Sequence, residues 1–65
     1  MRPAAEYTTK DGRTYKRSFP SVRQAMEAAQ GAVYGKSIAG AEVYNRKGKV
    51  VIRYFFDGKL QYIEY

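Results

Sequence analysis

Three glycine dipeptides, Asp11-Gly12, Lys47-Gly48 and Asp57-Gly58, cut the chain into short strand-like runs. Asp-Gly between alternating runs is a strong hairpin signal, because a two-residue type I′ loop needs positive φ at both central positions. Lys47-Gly48 is a weaker signal, since Lys adopts positive φ poorly. The three turns predict three hairpins, the second and third sharing a middle strand. Between the first and second hairpins the period changes. Ser21 and Gln24 form a capping-box pattern. After them Val22, Ala25, Met26, Ala29, Ala32 and Val33 recur at helical spacing, with Arg23, Gln24, Glu27 and Gln30 on the polar side. Gly31 weakens the last turn and Gly35 is the expected stop. The predicted fold is α+β: an antiparallel sheet in the order β-β-α-β-β-β with a single helix packed on one face. Residues 1–65 form one small domain, with residues 1–5 expected to fray.

Two-residue loops fix a register. Glu6 then opposes Arg17 and Thr8 opposes Tyr15. In the meander Arg46 opposes Lys49, Tyr44 opposes Val51, Val43 opposes Ile52, and Glu42 opposes Arg53. In the last hairpin Phe55 opposes Leu60, Arg53 opposes Tyr62, and Ile52 opposes Ile63. Val43, Val50, Ile52, Tyr54 and Ile63 share one face, which is assigned to the helix because it is aliphatic. Tyr44, Val51, Arg53, Phe55, Leu60 and Tyr62 share the other, beside Glu42 and Glu64. The opposite assignment of faces remains an alternative.

A domain of this length buries only about 60% of the surface its unfolded chain exposes. With no Cys and no His, neither a disulfide nor the usual zinc site can staple it. Self-association is one remaining means of stabilisation, so a homodimer is a candidate state. The same absence removes the parts of the familiar nucleophile-plus-base arrangements. The chain is read as a non-enzyme with no metal and no cofactor. Twelve Lys and Arg against six Asp and Glu give a formal charge of +6, which favours an anionic partner or simply keeps a small domain soluble. Met1–Glu6 has no apolar core of a signal peptide and no run reaches the length of a membrane span. A cytoplasmic location without membrane contact is expected.

One helix covers one face, so Tyr44, Arg53, Phe55, Leu60 and Tyr62 are expected in the open as a contact patch. Tyr and Arg suit protein hot spots, and aromatics beside Arg also stack and clamp single-stranded nucleic acid. The densest cation cluster, Arg46, Lys47 and Lys49, is at the second hairpin tip. Lys10 and Arg13 flank the first tip and Lys59 the third, as secondary basic contacts. Two motifs fail. Gly31-Ala32-Val33-Tyr34-Gly35-Lys36-Ser37 has three residues between its glycines where a phosphate-binding loop needs four, and a helix precedes it. Lys49–Phe55 lacks the internal glycine of the aromatic RNA-binding signature.

From Phe19 onward, Phe-Pro-Ser-Val-x-Gln-Ala-Met-x-Ala-Ala is followed by Ala41–Val51 and Phe56-Asp57-Gly58-Lys59. This stretch resembles very small phage and prophage proteins built from a helix and a β-meander, including anti-CRISPR inhibitors of a type I-F class. The resemblance implies binding to a CRISPR effector, or another protein or ribonucleoprotein complex in a bacterial host, and blocking of nucleic-acid access. A chain of charge +6 does not imitate DNA, so such an inhibitor would cover a protein surface or bound RNA. Direct nucleic-acid binding and a structural homodimer are the alternatives.

Overall fold

The helix begins where the capping pattern places it, and the rest of the architecture follows from its small apolar face. The computed structural model describes residues 1–35 and 37–65; Lys36, within the failed phosphate-loop motif, lies outside the described residues. Ser21 is extended (φ −146°, ψ 159°) and caps α1 (Val22–Tyr34). Its Oγ accepts the Gln24 N–H at 3.2 Å, satisfying a first-turn donor that would otherwise lack a partner. At the other end Gly35 keeps an ordinary φ of −73°, and Ser37 Oγ donates to the Ala32 carbonyl at 3.1 Å. Ala25, Ala29 and Val33 are fully buried. With Ala at two of these three positions, the helix axis approaches the sheet closely.

The sheet contains β1 (Ala4–Thr8), β2 (Thr14–Ser18), β3 (Gly40–Tyr44), β4 (Val50–Phe56) and β5 (Leu60–Glu64). All neighbours are antiparallel, in the spatial order β2-β1-β3-β4-β5. The predicted α+β element order holds. After crossing the sheet, the chain returns beside β1, so β1 and β3 lie inside and β2 forms an edge. The helix packs over β1, β3 and β4. The core joins its buried residues to Ala5, Tyr7, Ile38, Ala41, Val43, Ile52 and Tyr54. Ala4 and Ala5, expected to fray, are buried in β1, and the Pro3 carbonyl accepts from Phe19 N–H at 2.8 Å.

The hairpin loops differ from expectation, with consequences for every face. The first is closed at Thr9 and Arg13, with Gly12 N–H donating to the Thr9 carbonyl at 3.1 Å and φ +91° at Gly12. The second is closed at Asn45 and Lys49, with the same bond from Gly48 to Asn45 at 3.0 Å and φ +81°. Each is a three-residue loop in which a type I turn ends in a left-handed glycine. Positive φ is therefore needed once, at Gly, and not at Asp11 or Lys47. The third hairpin also leaves three residues, Asp57, Gly58 and Lys59, between paired Phe56 and Leu60.

One extra loop residue slips the register by one and turns side chains over. Tyr7 therefore opposes Tyr15 and Glu6 opposes Lys16, in place of Thr8–Tyr15 and Glu6–Arg17. In the last hairpin Tyr54 opposes Tyr62 and Arg53 opposes Ile63. Leu60, Tyr62 and Glu64 accordingly lie on the helix side and Ile63 on the open side, the reverse of the predicted assignment. The middle hairpin escapes this fate. A bulge between Val43 and Tyr44 absorbs the extra residue, so Val43–Ile52 and Glu42–Arg53 pair as predicted. Only the outer pairs change: Tyr44 meets Val50, which leaves Val50 off the helix side, and Lys49 meets Asn45 in place of Arg46.

Candidate functional site

Cross-strand pairing lays a row of charges over the open face. Lys16, Glu6, Glu42 and Arg53 are successive partners on β2, β1, β3 and β4, with Ile63 next on β5. The order is basic, acidic, acidic, basic, so the middle of this face is balanced in charge. Tyr44 lies one step along β3, opposite Ala4, which in turn opposes Ser18. Its hydroxyl donates to Glu6 Oε1 at 3.0 Å. Lys16 Nζ lies 4.5 Å from the Tyr44 ring centroid, a cation–π distance. Burial first, and then the Glu6 hydrogen bond and the Glu42 and Glu6 charges, push the Tyr44 phenol up to about 12. At neutral pH it is a fixed, uncharged donor that holds Glu6 and supports Lys16.

Beyond Tyr44 the sheet ends in a depression of about 250 Å³, lined by residues that include Arg2, Ala4, Lys16, Ser18, Tyr44 and Gly48. Lys47 and Lys49 flank Gly48 in the turn that forms one wall. Asn45 Oδ1 accepts the N–H of Lys47 at 2.9 Å and of Lys49 at 3.0 Å, which fixes the turn from within. On the helix side of the same end, Arg46 Nη2 donates to the Pro20 carbonyl at 3.1 Å, tying the tip to the segment before the helix. Arg17, on exposed β2, opposes Ala5 on the helix side. Six of the chain's twelve basic residues, Arg2, Lys16, Arg17, Arg46, Lys47 and Lys49, thus gather at one end and along one edge.

The remaining sequence candidates do not join them. Lys10 and Arg13 are on the first hairpin tip and Lys59 on the third, both at the opposite end of the strands. Arg13 Nε is 3.0 Å from Asp11 Oδ2, and Lys59 shares its loop with Asp57. Arg53 and Phe55 lie on the open face, lining a second depression of about 240 Å³ with Thr8, Gly40 and Glu42. Tyr62 belongs to the other face, its ring 6.5 Å from that of Tyr54. The expected patch of Tyr44, Arg53, Phe55, Leu60 and Tyr62 is therefore split. Tyr44, Arg46, Lys47 and Lys49 share the basic end, joined by Arg2, Lys16, Arg17 and Ser18, which sequence reasoning missed. The usable signal was β2 itself: Thr14-Tyr15-Lys16-Arg17-Ser18 is polar on both faces, as an edge strand is. If β2 is an edge, β1 must take its second neighbour from the meander, which brings the Arg46–Lys49 tip beside the N-terminal segment.

Comparison with known proteins adds no relative. No family model matches the chain, and neither curated proteins nor solved structures give a match. Nothing in these comparisons bears on the resemblance to small phage inhibitors. Among the described residues, no helix is long and apolar enough to cross a membrane.

Proposed function

We propose that this chain is a non-catalytic binding domain that seats its basic end on nucleic acid, free or within a ribonucleoprotein. The observation that carries this reading is that Arg2 and Lys16 line the depression beside Tyr44 together with Gly48, whose chain neighbours are Lys47 and Lys49. Phosphates favour such a surface because each contact releases condensed counterions. Both a basic and an aromatic side chain, Lys16 and Tyr44, line the depression, which suits a phosphate-bearing backbone. Phe55, which would stack a base, is set back on the open face, so charge supplies most of the affinity and sequence preference is weak. Seated on a ribonucleoprotein, the domain would cover bound RNA or the path of an incoming strand, the inhibitor role that the phage resemblance implies.

The test is a titration of labelled single-stranded DNA and RNA at several salt concentrations. Contacts to roughly four phosphates give a log–log slope of about −3 on a single strand. Affinity should then fall about fifty-fold between 50 and 200 mM salt, at the ionic strengths where such contacts weaken. Lys16→Glu with Lys47→Glu should flatten that slope. An affinity for nucleic acid that ignored salt, or none at all, would sink this reading and leave an acidic protein surface as the partner.

A further inference from the structure

We propose that β5 is a self-pairing edge, and that two copies of this chain join there, antiparallel about Tyr62, into one continuous sheet. This goes beyond the binding reading and does not depend on it. Tyr65 N–H donates to Val51 and the Lys59 carbonyl accepts from Asp57, so residues 59, 61, 63 and 65 turn their polar groups inward. Antiparallel strands alternate in this respect. Leu60, Tyr62 and Glu64 therefore turn both N–H and C=O outward, with no strand beyond them.

A copy related by a twofold axis through Tyr62 pairs Tyr62 with Tyr62, and Leu60 with Glu64 in both directions. Each pair joins two outward-facing residues, so every outward group of β5 finds a partner. Registers centred on Gln61 or Ile63 place inward-facing residues on the axis and pair fewer of the five residues. The twofold leaves the helices of both copies on the same side, as the side chains require.

Side chains favour the same union. Between the helix and β5 two depressions remain, which share Gln30: one is lined by Tyr34 and Leu60, the other by Met26, Tyr62 and Glu64. Tyr34, Tyr62 and Ile63, three of the six large hydrophobic side chains left exposed, lie on β5 or line these depressions, and a fourth, Tyr65, directly follows β5. Pairing about Tyr62 sets the Tyr62-lined depressions of the two copies side by side and brings their Tyr62 rings together across the axis. β5 is weakly guarded as an edge: it contains no Lys, Arg or Pro, and its one charge, Glu64, is at its end.

Charge selects this edge over the other. On β2 the equivalent axis passes through Lys16, placing two ammonium groups face to face, which is destabilising. Pairing through β5 instead sends β2 and the cation-rich tips to opposite ends of the joined sheet. The occupant is thus a second copy of this chain, since it supplies the matching outward groups and keeps the two Lys16 side chains, and the two Arg46–Lys49 tips, away from each other.

Nuclease-treated protein measured by light scattering and sedimentation, from micromolar to near-millimolar concentration, tests this without reference to nucleic acid. The expected mass rises to twice the 7.4 kDa of one chain, more readily at higher salt, where cation repulsion is screened. Tyr62→Lys, which sets two lysines on the axis, should return it to one chain, and Lys16→Gln should leave the doubled mass in place. Amide exchange provides a second reading that needs no variant: Leu60, Tyr62 and Glu64 should become protected as concentration rises. A single-chain mass throughout, a doubled mass that survives Tyr62→Lys, or concentration-independent exchange at those amides would overturn the proposal. Capture of a foreign strand by a chain that stays single would do so as well.

Discussion

At one edge of the sheet β2 carries Thr14, Tyr15, Lys16, Arg17 and Ser18, all exposed. At the other, β5 carries Leu60, Gln61, Tyr62, Ile63 and Glu64, with apolar side chains on both faces. The two strands occupy equivalent places, each with one paired and one free side, yet their chemistry is opposite. On β2 the charges that discourage another strand also belong to the cation cluster at the basic end. On the proposed nucleic-acid reading, guarding the edge and attracting phosphate would be one property of Lys16 and Arg17. On β5 the one charge is Glu64 at the strand's end, and the free hydrogen-bonding groups face outward beside exposed tyrosines. What the contrast teaches is that a sheet this small can use its two edges for two kinds of contact, kept apart by three intervening strands.

Proline substitution gives the largest expected effect and separates the two sides of a single strand. Ile63 turns its N–H toward Arg53 on β4, so Ile63→Pro should cost about 2–3 kcal/mol, a lost bond plus an unsatisfied acceptor. Tyr62 turns its N–H outward, where proline is tolerated on an edge. Tyr62→Pro should cost less than about 1 kcal/mol in chemical denaturation at low concentration. Equal losses from the two would break the assignment of inward and outward groups on β5.

Charge reversal compares the edges directly. Lys16→Glu with Arg17→Glu should weaken single-stranded oligonucleotide binding about tenfold or more at low salt, which is about 1.4 kcal/mol. Glu64→Gln on β5 should alter it less than about twofold. Fluorescence anisotropy reads both, and a matching response from the two edges would remove the distinction between them.

Tyr44, on the β2 side of the open face, adds a pH effect. Its folded pKa of about 12 is above the ordinary 10.0, so its neutral form is favoured in the folded state. That contribution is complete below pH 10, and it is lost as pH rises from 10 toward 12. Burial also raises Tyr7 and Tyr54, so the loss is shared among several phenols. Absorbance of tyrosinate against pH should show one late-titrating phenol fewer in Tyr44→Phe.

The smallest effect is a gain. Gly31 is inside the helix, and a methyl group there meets nothing within 4 Å. Gly31→Ala should therefore stabilise the fold by about 0.5–1 kcal/mol, measured as a rise in Tm.

Much of the fold was legible because its signals are local. The Ser21 cap, the helical recurrence of Ala25, Ala29 and Val33, and three glycine turns need only neighbouring residues. The faces of β1, β2 and β5 were not legible, because they depend on whether Gly12 and Gly58 belong to loops of two or three residues. A dipeptide does not carry that distinction, and a one-residue difference exchanges Tyr62 for Ile63. The β3–β4 pairing came through because the Val43/Tyr44 bulge offsets its own loop. The basic end was hidden for another reason. Arg2, Lys16 and Lys47 are far apart in sequence and meet only because β3 returns beside β1.

The Asn45 side chain, accepting from both Lys47 and Lys49 backbone N–H groups, bears on how quickly a partner can be held. A hairpin tip without that brace would sample many shapes, and each encounter would have to wait for a suitable one. Here the frame carrying the two lysines is already set before any partner arrives, leaving only their flexible stems to settle. Association should then run near the rate at which charge draws the partners together, and loosening the brace by Asn45→Ala should be felt in capture as well as in stability.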